Sequence, residues 1–210
     1  MQGSAAPLRV LSVGTLYPPN AIGGYEAVWR DVVEALRADG HDVLVLCSDW
    51  TAEHNGQPED PKVERTLQMY VDDKLDVFRT SWRETLAREL HNDEILRAAI
   101  AEHRPGVAFI GPAGGMEPGK RAQRQAAGIP QLAFLGDDWP GYALGADPWQ
   151  VSLRRGRARM MRSAAKNGLP PAFALEQVQG WVSTSEFTRG TAIAAGSRRE
   201  RSTRSRPGRT

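Results

Sequence analysis

The chain has 210 residues, 40% hydrophobic and 25% charged, with a mean hydropathy of -0.46, which suits one soluble domain with a full-sized core and excludes a disordered chain or a multidomain machine. The formal charge of +2 is uneven: residues 197–210 hold six Arg and one Glu, a charge of +5 that leaves -3 on the rest, so the pI of 8.9 is weak ground for specific nucleic-acid binding. A single Cys47 excludes an internal disulfide and a multi-cysteine zinc site, no apolar run nears the roughly 20 residues that span a bilayer, and no secretory leader is read, so the expected location is cytoplasmic.

Residues 8–14, LRVLSVG, form a short apolar run typical of a strand buried on both faces. A loop with Pro18, Pro19, Gly23 and Gly24 leads into an amphipathic helix over 25–38, whose expected core positions are Ala27, Val28, Val32 and Leu36. Gly40 is a helix stop and 42–47, DVLVLC, a second strand, so the first 48 residues predict a βαβ unit with a parallel crossover. At most one more strand is expected before Asp73, near 63–71. Trp82, Leu86 and Leu90 then predict a helix from Ser81, with Asn92 as the N-cap of another that Pro105 ends.

Strands at 106–111 and 129–136 flank a helix over 114–127, and a strand at 181–183 precedes a helix capped by Ser185. The alternation predicts an α/β fold, a Rossmann-like parallel sheet flanked by helices. Residues 137–179 break the rhythm and read as an insertion. Within it, LRRGRARMMR (153–162) places five arginines beside Leu153, Met160 and Met161. Such a segment suits either a solvated helix face or peripheral contact with an anionic membrane or a phosphorylated acceptor.

Gly23 and Gly24, between the first strand and its helix, let a ligand approach the backbone where free N–H groups and the helix dipole favour an anion. The spacing is neither G-x-G-x-x-G nor a Walker loop, and a tight turn is the alternative reading. The stretch 136–142, GDDWPGY, follows a strand at the carboxyl edge where open α/β sheets bind ligands. There Asp137 equally suits a turn cap, and Trp139 and Trp149 equally suit packing. His41, His54, His91 and His103 show no metal-ligand spacing, and Cys47 reads as a small buried hydrophobe.

The run from Leu8 to Ser48 resembles the start of family 4 glycosyltransferases of the GT-B fold, with Gly23, Gly24, Glu26, Gly40, His41 and Val43 in matching positions. HRPGVAFIG is similar to a further strand of that family, with Gly106 where Asp is usual, and GWVSTSEFTRGTAIAAG to the last strand and helix of its N-terminal domain. The resemblance covers most of 8–196 and implies the N-terminal, acceptor-side half of a GT-B enzyme that transfers sugar from a nucleotide-sugar donor with retention, without a cofactor or metal. It implies substrate contacts at Gly23, Gly24, Tyr25, Glu26, Gly136, Trp139, Ser185 and Glu186, and a sugar or lipid-linked acceptor. Gly136 stands where the family often has a His at the transfer centre, so either Asp137 or Asp138 takes over a polar role, or backbone and solvent do.

The family's donor-binding C-terminal domain is expected after Gly196, where this chain has the Arg-rich tail 197–210. That tail reads as disordered, either a genuine basic segment or an out-of-frame translation of a GC-rich gene. The expectation is a fragment inactive alone. A non-catalytic α/β ligand-binding module and half of a nucleotide-sugar epimerase are the alternatives.

Overall fold

The computed structural model describes residues 6–51, 60–70, 81–112, 128–137, 149, 158–169, 178–191 and 193. In chain order the elements are β1 (Arg9–Val13), α1 (Gly24–Ala38), β2 (Asp42–Ser48), β3 (Val63–Leu67), α2 (Trp82–His103), β4 (Val107–Ile110), β5 (Gln131–Leu135), α3 (Ala158–Lys166) and β6 (Gly180–Ser183). The strands form one six-stranded sheet in the order β3-β2-β1-β4-β5-β6, and every pairing is parallel. This is the Rossmann-like α/β architecture the alternation predicts, with its topological switch between β1 and β4. The helix expected over 114–127 and the tail 197–210 lie outside the described residues.

The period-2 alternation of each strand divides its apolar residues between two cores. Val10, Val43, Val45, Cys47, Phe109 and Phe134 face α1, which adds Trp29 and Val33. Leu11, Val13, Leu44, Leu46, Ile110, Ala133 and Leu135 face α2, which adds Leu96 and Ala99. Burial on both faces is why these strands read as continuous apolar runs.

Two helices differ from expectation. In α1 the buried stripe runs through Trp29 and Val33, with the expected Val32 and Leu36 packed against it, while Val28 is 43% exposed. The helix turns to bury its largest side chain, because a Trp removes more apolar area from water than a Val. α1 ends as expected: Gly40 sits at φ +89, its N–H bonds Arg37 O, and the His41 N–H bonds Leu36 O, a Schellman motif that requires the left-handed conformation. α2 is one continuous helix, capped by Ser81 and Glu84 acting reciprocally. Asn92 is no cap. It is buried mid-helix, where its Oδ1 accepts from the Gln68 N–H (2.8 Å) and its Nδ2 donates to Gln68 O (2.9 Å), tying α2 to the segment after β3.

Candidate functional site at the carboxyl edge of the sheet

The strand ends β1, β4 and β5 are each followed at once by a glycine: Gly14, Gly111 and Gly136. A Cβ on Gly14 would stand 2.6 Å from the Trp29 indole, one on Gly111 2.5 Å from it, and one on Gly136 2.5 Å from the Tyr25 ring. Two aromatic side chains four residues apart on α1 therefore lie in notches made by three missing side chains. Trp29 is fully buried, and its Nε1–H donates to Ser12 Oγ at 2.8 Å. The N–H and Oγ1 of Thr15 both donate to Pro112 O, at 2.8 and 2.9 Å, joining the ends of β1 and β4. The switch-point crevice, where open α/β sheets commonly seat a ligand, is filled by the indole at its base.

The loop from β1 to α1 is held by the end strand β3, on the face of the sheet that carries α1. Arg65 of β3 donates from Nη1 to Tyr17 O (2.8 Å) and from Nη2 to Pro18 O (2.7 Å), and its Nη1 also meets Cys47 Sγ at 3.5 Å. Burial pushes the Cys47 thiol up to about 12, which fits the small buried hydrophobe the sequence suggests. Tyr17 packs edge-on against Trp29 with ring centres 4.9 Å apart. Beyond this anchored stretch the chain reaches Gly23 and Gly24, both exposed.

Gly23 is extended, at φ -160 and ψ -169, and its N–H donates to the buried Glu26 Oε2 at 3.1 Å. Glu26 thus closes one half of a capping box, and Gly23, without a side chain, supplies no other half. The N–H groups of Gly24, Tyr25 and Glu26 begin the helix and have no intrahelical carbonyl to bond. The Gly24 backbone is not left-handed, and a Cβ there would meet nothing within 4 Å. Its lack of a side chain leaves open space and relieves no strain.

Tyr25 joins this turn to β5. Its hydroxyl donates to Phe134 O at 2.7 Å and its ring lies 5.1 Å from that of Phe134. Burial raises the phenol above its usual range, with the Asp137 carboxylate adding to the shift, so Tyr25 stays a protonated donor. Gly136 and Asp137 are half-buried beside it. On the next strand, the Thr184 N–H and Oγ1 both bond Leu135 O, which brings Ser185 and Glu186 to the same edge. Ser185 Oγ accepts from the Thr188 N–H at 3.2 Å, as an N-cap does, and Glu186 is exposed and paired with Arg189 at 3.1 Å.

The structure therefore brings Tyr25, Gly136 and Asp137 together, with Gly23, Gly24 and Glu26 on one side and Ser185 and Glu186 on the other. Asp138 and Trp139 lie outside the described residues. Trp149 is buried against Leu86, Ala164 and Leu169, as a packing residue. His91 and His103, half-buried, lie 3.0 and 3.1 Å from the carbonyls of Thr66 and Val10. No group of three metal-ligating side chains exists among the described residues. Sequence reasoning missed Trp29 and Arg65; the repeated apolar-then-glycine ending of three strands was the available signal for the first.

No family model and no curated protein matches this chain. Among solved structures it is similar to one assigned as a UDP-N-acetylglucosamine 2-epimerase from Listeria monocytogenes, at 13% identity and a TM-score of 0.50, covering 91% of this chain and 43% of that one. The likeness is one of fold. Two further structures are similar at lower scores. One is the UDP-GlcNAc 2-epimerase of Neisseria meningitidis bound to UDP-GlcNAc (13% identity, TM-score 0.47, 89% of this chain and 43% of that one). The other is the catalytic domain of starch synthase IV from Arabidopsis thaliana bound to ADP and acarbose (10% identity, TM-score 0.42, 70% and 38%). The chain thus spans less than half the length of each of these structures. Its fold is GT-B-like.

Proposed function

We propose that this chain is the N-terminal, acceptor-side half of a family 4 GT-B glycosyltransferase that transfers sugar from a nucleotide-sugar donor with retention. The observation that carries the reading is a coincidence of place. The residues of the family resemblance at the start of α1, Gly23, Gly24 and Glu26, open onto the same sheet edge as Gly136 and Asp137 and as Ser185 and Glu186. An acceptor hydroxyl seated there would meet the Asp137 carboxyl group, and the N–H groups at the first turn of α1 would face a phosphate or ring oxygen; Asp138, outside the described residues, is the alternative carried by the family resemblance. Transfer with retention in this reading depends chiefly on electrostatic stabilisation of the departing diphosphate, a task assigned to a second, donor-binding half. No helix among the described residues is long and apolar enough to cross a membrane, and a cytoplasmic location completes the reading.

A second reading, half of a nucleotide-sugar epimerase, is favoured by the fold likeness to the Listeria structure. One experiment separates them. The chain is mixed with labelled UDP-N-acetylglucosamine, alone and after fusion to a GT-B donor-binding half. Transfer to an added saccharide by the fusion supports the first reading, and inversion at C2 without an acceptor supports the second. Micromolar binding of the donor by the unfused chain in calorimetry would overturn the assignment to the acceptor side.

A further inference from the structure

The end of β5 lacks the backbone partner that its register calls for. In the ladder between β4 and β5 the Ala108 N–H donates to Pro130 O at 2.9 Å, with Ala108 beside Gln131 and Ile110 beside Ala133. Parallel bonding advances two residues at a time, so the next residue in that line, at position 112, would donate to Phe134 O and accept from the Gly136 N–H. Position 112 is a proline and has no N–H to give. Its carbonyl is held on the β1 side, by the N–H and Oγ1 of Thr15 at 2.8 and 2.9 Å.

Both of these β5 groups meet the Tyr25 hydroxyl instead. It donates to Phe134 O at 2.7 Å, and the Gly136 N–H interacts with the same oxygen. One side chain thus supplies the donor and the acceptor of a missing peptide group. The ring that carries the hydroxyl fits because Gly136 has no Cβ, which would stand 2.5 Å from Tyr25 Cε2, so a side chain at 136 and this ring exclude one another. The Phe134 ring, 5.1 Å away and tilted by 50°, packs against it.

We propose that Tyr25 is the positioning residue of this edge, its hydroxyl completing the β5 ladder in place of residue 112 and so fixing the turn that carries Asp137 beside the first turn of α1. Tyr25 belongs to that first turn, so a single residue spans both sides: its own N–H is among those that begin α1, and its side chain ends on the backbone of β5. The hydroxyl is committed to the backbone and is not the group that exchanges a proton with a substrate. Only the use of this bridge for an acceptor rests on the sugar-transfer reading.

The test is amide hydrogen exchange by NMR on the full chain, comparing wild type, Tyr25→Phe, Pro112→Ala and the double variant. Tyr25→Phe keeps the ring in its notch and removes only the hydroxyl, and exchange at Gly136 is expected to speed up about five-fold, as for the loss of one hydrogen bond, while amides of β1 and β2 keep their rates. Pro112→Ala returns an N–H to the residue that the register calls for, and Y25F/P112A is expected to recover at least half of the protection, a rescue that mere packing of the ring would not show. Saccharide affinity, read from the same spectra with glucose, galactose and maltose, is expected to fall about five-fold in Tyr25→Phe and to recover in the double variant. A wild type that binds none of the three contradicts the acceptor reading, and the exchange rates then decide the bridge. An unchanged rate at Gly136 in Tyr25→Phe, an equal acceleration across the whole sheet, a double variant no better protected than Tyr25→Phe, or equal saccharide affinity in wild type and Tyr25→Phe would each overturn the proposal.

Discussion

Trp29 illustrates how a few residues decide the shape of the candidate site. Its indole occupies the space that side chains at positions 14 and 111 would need, so the three residues form one packing unit. Gly111→Ala is expected to destabilise the fold by about 1–3 kcal/mol through overpacking. Trp29→Phe, which vacates part of the space, is expected to recover at least half of that cost in the double variant. Urea unfolding of the four members of this cycle measures the coupling, and additive single costs would mean that the notches are not what fixes the indole. Ionisation gives a second expectation. Tyr17 is raised by burial from 10.0 to about 12, and Tyr25 is raised further, also chiefly by burial. A raised folded pKa on an acid means that the folded state holds its proton more tightly than the unfolded one. These phenols therefore give no pH dependence below about pH 10, and stability falls as pH rises from 10 to about 12. Urea midpoints across that range check the direction, and Tyr17→Phe is expected to flatten part of the slope.

At the scale of elements, α2 separates two kinds of stabilising contact. Ser81→Ala removes an exposed cap and is expected to cost about 1 kcal/mol. Asn92→Ala strips the Gln68 N–H and C=O of their shared partner at a buried site and is expected to cost about 2–4 kcal/mol. Urea unfolding ranks the two, and the reverse order would mean that water replaces the Asn92 amide. The same residue shows the limit of what was legible in the sequence. Asn is a good N-cap and sits between two apolar stretches, so local propensity breaks α2 at 92; its true partner, Gln68, is 24 residues away and brought close only by the fold. Strands β1, β2, β4 and β5 were legible because burial on both faces leaves nearly unbroken apolar runs, whereas β3 and β6, at the two ends of the sheet, carry only short apolar stretches. The Gly23-Gly24 turn was legible because it punctuates a helix start. The core side of α1 was legible at Val32 and Leu36 but not at its centre, since spacing alone cannot weigh Trp29 against Val28, nor can it show that Arg65 reaches over to Tyr17 and Pro18.

Taken as a whole molecule, the parallel sheet brings the ends of β1, β4, β5 and β6 to one edge, and the indole fills the crevice between the first two. Among the described residues, what remains open at that edge is the first turn of α1 beside β5 and β6, and the proposed acceptor side is assigned there. The most direct test is amide NMR of the chain titrated with a panel of mono- and disaccharides, comparing wild type with Gly24→Val. A Cβ at Gly24 meets nothing within 4 Å and the backbone there is not left-handed, so the substitution is expected to leave the unfolding midpoint nearly unchanged. Saccharide-dependent shifts are expected at Gly24, Tyr25, Gly136, Asp137 and Ser185, with affinity falling at least ten-fold in the variant, about 1.4 kcal/mol. Shifts confined to other parts of the sheet, or the same affinity in a Gly24→Val protein of unchanged stability, would contradict the placement of the acceptor at this edge.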